Sequence, residues 1–154
     1  MATEHQHDIE DDGLARQRLR LWLQMLKAVR YVEGTLRERL RAGYGTTLPR
    51  FDVLAALHAE PEGMKMSELS QHLVVSNGNV TGVVDRLVSE GLAERQTVES
   101  DRRAFRVRIT DKGRALMDEM TAEHLGWIDE MFEQVSEADA ARGISIMLDI
   151  RHKG

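Results

Sequence analysis

The stretch V-V-S-N-G-N-V-T-G-V-V-D-R-L, Val74 to Leu87, combines two patterns. Its apolar residues recur at helical steps, which predicts an amphipathic helix. The opposite arc holds Asn, Gly, Thr and Ser where a solvated helix carries Lys and Glu. Short hydrogen-bonding side chains on a helix suit the base edges of a DNA major groove, which present donors and acceptors at close range. Val80, Val83, Val84, Leu87 and Val88 define the buried stripe, leaving Asn77, Gly78, Asn79, Thr81, Gly82, Asp85 and Arg86 outside. Asn79 can pair with an adenine edge, and the Thr81 methyl can meet a thymine methyl. Gly78 and Gly82 let the backbone approach phosphates, and Arg86 suits a phosphate. Ser76 is a good N-cap for this helix. The same residues, Ser76 to Asn79, equally favour a plain turn and cap with no DNA role.

The next segment of the chain separates these readings. Leu92 to Val98 and Ala104 to Ile109 flank the polar turn Glu99 to Arg103, and the second arm alternates, with Phe105, Val107 and Ile109 one way and Arg106 and Arg108 the other. This predicts a β-hairpin whose tip carries Arg102 and Arg103 beside Asp101. An arginine on such a tip can enter the minor groove next to the major groove that a helix occupies. Asp101 and Arg103 also fit an exposed ion pair that braces the hairpin, and both roles are compatible, with Asp101 orienting Arg103.

No comparable constellation points to catalysis. The chain has no phosphate-binding glycine loop, no G-x-S-x-G and no H-E-x-x-H, and His72 and His124 stand alone. His5 and His7 lack a third ligand, so no metal is expected, and nothing calls for a cofactor. Zero cysteines exclude disulfides, thiolate metal sites and thiol redox sensing. No apolar run is long enough to cross a membrane and no signal-peptide pattern leads the chain, so a soluble, cytoplasmic protein is expected.

The formal net charge of −5 looks unfavourable for nucleic acid, but it is unevenly spread. Glu4, Asp8, Glu10, Asp11 and Asp12 make the first residues acidic, whereas Arg16 to Arg41 carry eight basic side chains against two acidic ones. Phosphate contacts are local and the Debye length is about 8 Å at physiological salt, so the total does not exclude DNA.

The elements that must position these groups are set by periodicity. Residues 1–13 are acidic and aperiodic and read as a disordered tail. Leu19, Trp22, Leu26, Val29, Leu36 and Leu40 predict a long helix stopped at Gly43-Tyr44-Gly45. Pro49 opens a second helix that closes at Glu60-Pro61-Glu62-Gly63, and a short third spans about Met66 to Leu73. After the hairpin, Thr110 caps a long helix through Leu116, Met120, Trp127, Ile128, Met131 and Val135. Ser136 to Asp139 then resembles a capping box that opens a last one. The order is mainly α with a small β-hairpin wing: a winged helix-turn-helix. Its terminal helices keep apolar faces that need a partner.

The sequence resembles the MarR transcriptional regulators over nearly everything after residue 13. The resemblance rests on S-N-G-N-V-T-G-V-V-D-R-L, on E-G-L-A-E-R, and on D-R-R-A-F-R-V-R-I-T-D-K-G, where the family's Asp-x-Arg wing signature falls on Asp101 and Arg103. It implies a homodimer in which residues 14–42 and 111–154 intertwine and residues 48–110 form the DNA-binding lobe. It also implies a pseudo-palindromic double-stranded operator as partner, and an effector pocket bordered by the first, second and fifth helices. Trp22, Met25, Arg30 and His58 are the residues placed nearest that pocket, although the first two suit a core better, since Met and aromatics at helical spacing usually pack, while Arg30 also suits a solvated face and His58 a helix end. Similarity of S-N-G-N-V-T to regulators of aromatic-acid degradation implies an aromatic acid or acyl-CoA thioester as effector. The competing readings are a winged-helix module that binds protein instead of DNA, and a DNA binder without an effector.

Overall fold

A computed structural model of the chain describes residues 2–73, 79–98 and 101–152, without the side chains of residues 2–11 and 101–103. Helix α1 runs Ala2–Tyr44 and stops at the glycine cluster, where the Gly45 N–H returns to the Arg41 carbonyl at 3.0 Å. The segment expected as a tail, residues 1–13, overlaps the first turns of α1, which runs from Ala2. The acids of that segment fall in its first turns, where negative charge complements the positive end of the backbone dipole, and no proline breaks the run.

Helix α2 (Leu48–Ala59) is capped by the Thr47 hydroxyl, which accepts the Arg50 N–H, and Pro49 lies in the first turn, where its missing N–H has no partner to lose. A two-residue strand β1 (Met64–Lys65) precedes α3 (Met66–His72). Two residues show no alternation, so this strand is invisible to periodicity. Helix α4 (Val80–Ser89) begins with Asn79 as its cap, three residues after Ser76, where the sequence places it. Ser76, Asn77 and Gly78 lie outside the described residues. Strands β2 (Ala93–Val98) and β3 (Asp101–Ile109) form the hairpin, and β1 adds to β3 to give an antiparallel sheet of order β1-β3-β2. β3 starts at Asp101 and not at the expected Ala104. A register shift between Thr97 and Val98 lets Val98 pair with Asp101, a bulge that carries pairing into the anticipated turn. Helix α5 (Asp111–Met131) ends before Val135, which lies in the link to α6 (Glu137–Arg151).

The core forms where α2 meets α4, α5 and the sheet. Leu54 and Leu57 of α2, Val84 and Leu87 of α4, Val107 of β3 and Met120 of α5 are fully buried, each contributing about 1.5–3 kcal/mol by leaving water. α1 reaches this core through Leu36 and Leu40, with Val32 and Tyr44 packed against it, and α6 buries no residue.

The end of α4 is joined closely to the start of α5. Gly91 takes φ +72°, and the Leu92 and Gly91 N–H groups close on the Leu87 and Val88 carbonyls at 2.9 and 3.0 Å, the paired bonds of a Schellman stop. Thr110 caps α5 by accepting the Gly113 N–H at 3.1 Å and donates its hydroxyl to the Gly91 carbonyl at 2.6 Å. At Gly113 a Cβ would stand 2.1 Å from the Leu92 carbonyl oxygen, which is backbone and cannot swing aside. Gly113→Ala is therefore expected to lower stability by about 1–3 kcal/mol, the range for overpacking. Urea denaturation measures it, and an unchanged midpoint would show that the junction tolerates a wider spacing.

Candidate nucleic-acid interface

The recognition candidate is α4. Its inward stripe is as expected, with Val84 and Leu87 buried and Val80, Val83 and Val88 half-buried; Asn79, Thr81, Asp85 and Arg86 are exposed. The Asn79 Oδ1 accepts the Gly82 N–H at 3.0 Å. A Cβ at position 82 would lie 2.7 Å from Asn79 Nδ2, so Gly82 makes room for this cap. The structural reading of Asn79 and Gly82 thus has a geometry of its own, and the base-reading capacity of Asn79 is reduced to its Nδ2 donors.

Ion pairs tie α4 to the rest of the lobe. Asp85 pairs with Arg95 of β2, whose guanidinium lies over the Phe105 ring, 5.3 Å from its centre. Glu90, at the end of α4, pairs with Arg50 of α2 through one oxygen and accepts Arg86 Nε at 2.9 Å through the other. Lys112 of α5 donates to the Glu90 carbonyl at 2.9 Å. The Arg86 and Glu90 spacing of four was visible in the sequence. The roles of Arg50, Arg95 and Lys112 were not, because their partners are distant along the chain.

In the wing β2 packs beside α4 and pairs with β3, but the side chains of Asp101, Arg102 and Arg103 lie outside the described residues, so the expected orientation of Arg103 by Asp101 does as well. Among the described residues no cluster of His, Cys, Asp and Glu forms a metal site, and no helix is long and apolar enough to cross a membrane.

The four residues placed near an effector pocket are scattered in character. Trp22 and Arg30 are exposed on α1, Met25 is half-buried, and His58 is engaged with Asp118 of α5, Nε2 to Oδ1 at 2.6 Å. None lines the cavities at the α2–α4–α5 junction, at the base of the wing or between the α5–α6 link and α6. The α1–α2 seam instead holds a residue that the sequence reading missed, Asp52. Its Oδ2 is buried without a hydrogen-bond partner, and burial, then the nearby Glu33 carboxylate, pushes it up to about 6. A lone acid in an amphipathic pattern carries no sign of this.

A model of the MarR family matches residues 44–104, the winged lobe. The MarR family transcriptional regulator from Silicibacter pomeroyi is 30% identical, with 90% of this chain and 95% of that chain covered and a TM-score of 0.77. The HTH-type transcriptional regulator MhqR of Bacillus subtilis is 25% identical over 126 residues, 82% of this chain and 86% of that protein. The structure of Bordetella bronchiseptica BpsR, described for regulation of its DNA binding by 6-hydroxynicotinic acid, is 20% identical, covering 86% of this chain and 98% of that one with a TM-score of 0.75. The chain belongs to the MarR family: it is a DNA-binding transcriptional regulator with a winged helix-turn-helix fold. Its relatives are regulators and not enzymes.

The Asp52 shift has a pH signature. A carboxyl raised from 3.8 to about 6 favours the fold while protonated, fully below its unfolded value, and that contribution is lost as pH rises through about 6. Asp52→Asn is thus expected to stabilise the protein at pH 8 by about 1 kcal/mol after solvent screening, with the gain shrinking toward pH 4. Melting curves across that range decide it; a gain independent of pH would rule out the ionised carboxylate as its cause.

Proposed function

We propose that the protein is a homodimeric repressor that binds a pseudo-palindromic operator and is released by a small aromatic acid or its CoA thioester. The observation that carries the dimer is the apolar surface left on the outer helices. On α1, Leu19, Trp22 and Val29 are exposed, Trp22 at 52%, and on α6 so are Ile144, Leu148 and Ile150, although the lobe between them has a filled core. A cavity of about 550 Å³ opens between the α5–α6 link and α6, lined by Phe132, Val135, Ile144, Met147 and Leu148. Exposed apolar faces of this size mark an interface, and a second copy would cover them with the same surface. In this reading residues 14–42 and 111–154 make the dimer and residues 48–110 bind DNA.

Within that lobe, Ser76, Asn77, Gly78, Asn79, Thr81 and Gly82 face the major groove, Arg86 meets a phosphate, and Asp101, Arg102 and Arg103 serve the minor groove. Half-sites then lie about 10 base pairs apart, one turn of duplex. Arg103→Ala is expected to weaken binding across sequences and to reduce the salt slope by about one. Sedimentation and duplex titration test both parts: a stable monomer at micromolar concentration removes the basis for paired half-sites, and an unchanged slope removes the wing from the interface.

The effector rests on the basic α1 segment and on the precedent of BpsR. Arg30 is the proposed carboxylate or phosphate partner, since a guanidinium holds either bidentately. A hundredfold loss of operator affinity needs an effector preference of about 2.7 kcal/mol for the non-binding state, and DNA must weaken effector binding equally. Titration of aromatic acids and thioesters against the operator complex is expected to release wild type but not Arg30→Ala. Normal release of the variant would discard Arg30, and no release by any of them would discard the effector class. That last outcome would favour a DNA binder without an effector, a reading supported by the commitment of His58 to Asp118.

A further inference from the structure

Glu90 sits where three parts of the lobe converge. Its Oε1 accepts Arg86 Nε at 2.9 Å, its other oxygen pairs with Arg50, and its main-chain carbonyl accepts Lys112 Nζ at 2.9 Å. The Arg50 side chain is only 15% exposed and its Nε is buried without a partner, so Glu90 is its means of neutralisation among the described residues. Burial, then the charge of the nearby Arg86, holds Arg50 below its ordinary value. Arg86 differs: its side chain is 67% exposed, and its terminal nitrogens have no partner among the described residues.

This geometry resembles a bracket. Glu90 grips Arg86 by Nε and leaves the terminal N–H groups available to an anion. Resting on the reading of Arg86 as a phosphate contact, we propose that Glu90 is a positioning residue for operator recognition, fixing the Arg86 guanidinium in one orientation and so setting the register of α4 in the groove. Phosphate contacts fix how a protein sits on the duplex, while base contacts supply the sequence information. A pre-oriented arginine also loses less rotamer freedom on binding than a free one. Without Glu90, Arg50 and Arg86 repel each other across the gap, and the end of α4 loses its anchor to α2.

Charge alone predicts the opposite outcome. Glu90 is an anion beside the DNA-binding face, so its removal on that ground would strengthen binding to any duplex. The two effects separate when specific and non-specific binding are compared. A duplex selected from a random pool by the wild-type protein is set against a scrambled duplex of the same composition. For Glu90→Gln, affinity for the selected duplex is expected to fall about tenfold, while affinity for the scrambled duplex stays level or rises. In an Arg86→Ala background the same substitution is expected to change selected-duplex affinity less than about twofold, since the group it positions is gone.

A purely structural role would weaken both duplexes together and act equally with and without Arg86. Arg50→Gln combined with Glu90→Gln removes the buried cation along with its partner, so it remains a folded test if Glu90→Gln alone is unstable, and it is expected to show the same loss of discrimination. Unchanged discrimination in the folded variant, or an equal cost in the Arg86→Ala background, overturns the role of Glu90 and leaves the DNA-binding reading standing. Failure of the wild type to select any duplex overturns both.

Discussion

Thr110 gives its hydroxyl to the Gly91 carbonyl and its N–H to the Leu92 carbonyl, and accepts the Gly113 N–H. One residue thereby joins the end of the recognition helix, the base of the wing and the start of α5. The Schellman stop at Gly91 turns the chain so that the Gly91 and Leu92 carbonyls meet Thr110, and Gly113 lets the start of α5 approach Leu92 closely. Because the contacts are mostly made by backbone groups, α4 and α5 have little freedom to rotate separately. A change in the angle of α5 would therefore carry the end of α4 with it.

The ionic ties around α4 divide along the same lines. Asp85 with Arg95 couples the helix to the wing, and Glu90 with Arg50 couples it to α2. The first is largely solvated and adds little to stability. The second is more deeply set, so loss of one partner leaves a poorly hydrated charge, and its worth lies in geometry more than in net energy. Nearer the outer helices, Arg39 on α1 reaches Glu130 of α5 at 2.7 Å and lies 5.9 Å from the centre of the Trp127 ring. The packing that ties α1 to its own chain is thus confined to its second half. Before that half, Leu14, Leu19 and Trp22 of α1 stay exposed.

The helices and the wing were legible in the sequence because their apolar residues repeat over many positions and their ends carry strong signals, as at Pro49, Thr110 and Ser136. What was misread has local causes. Ser76 and Asn79 are comparable caps by residue type, and the Asn79 side chain accepts the Gly82 N–H at the start of α4. The first thirteen residues read as a tail because they lack an apolar period, although acids at such positions also favour the start of a helix. Of the candidate interface, the α4 arc could be read from periodicity, whereas the Arg50, Glu90 and Lys112 cluster depends on side chains brought together only by the tertiary fold. Asp52 shows the same limit, since its environment is made by α1.

Asn79 is both the start of a helix and a candidate reader of bases, and this restricts how the family member can diverge. Few residue types cap well: Asp, Ser and Thr do so, and glycine does at some loss of order. Asp would set a carboxylate against phosphates, while Ser and Thr offer no amide to an adenine edge. Drift in operator preference through position 79 is therefore narrow, because most exchanges that alter base contact also fray the first turn of α4. Thr81, exposed in that turn and bearing no cap, is free of that double duty. Lineages descending from this regulator should acquire new target sites through Thr81 and the wing while Asn79 stays fixed, so a residue maintained for folding would come to look, in an alignment, like one maintained for specificity.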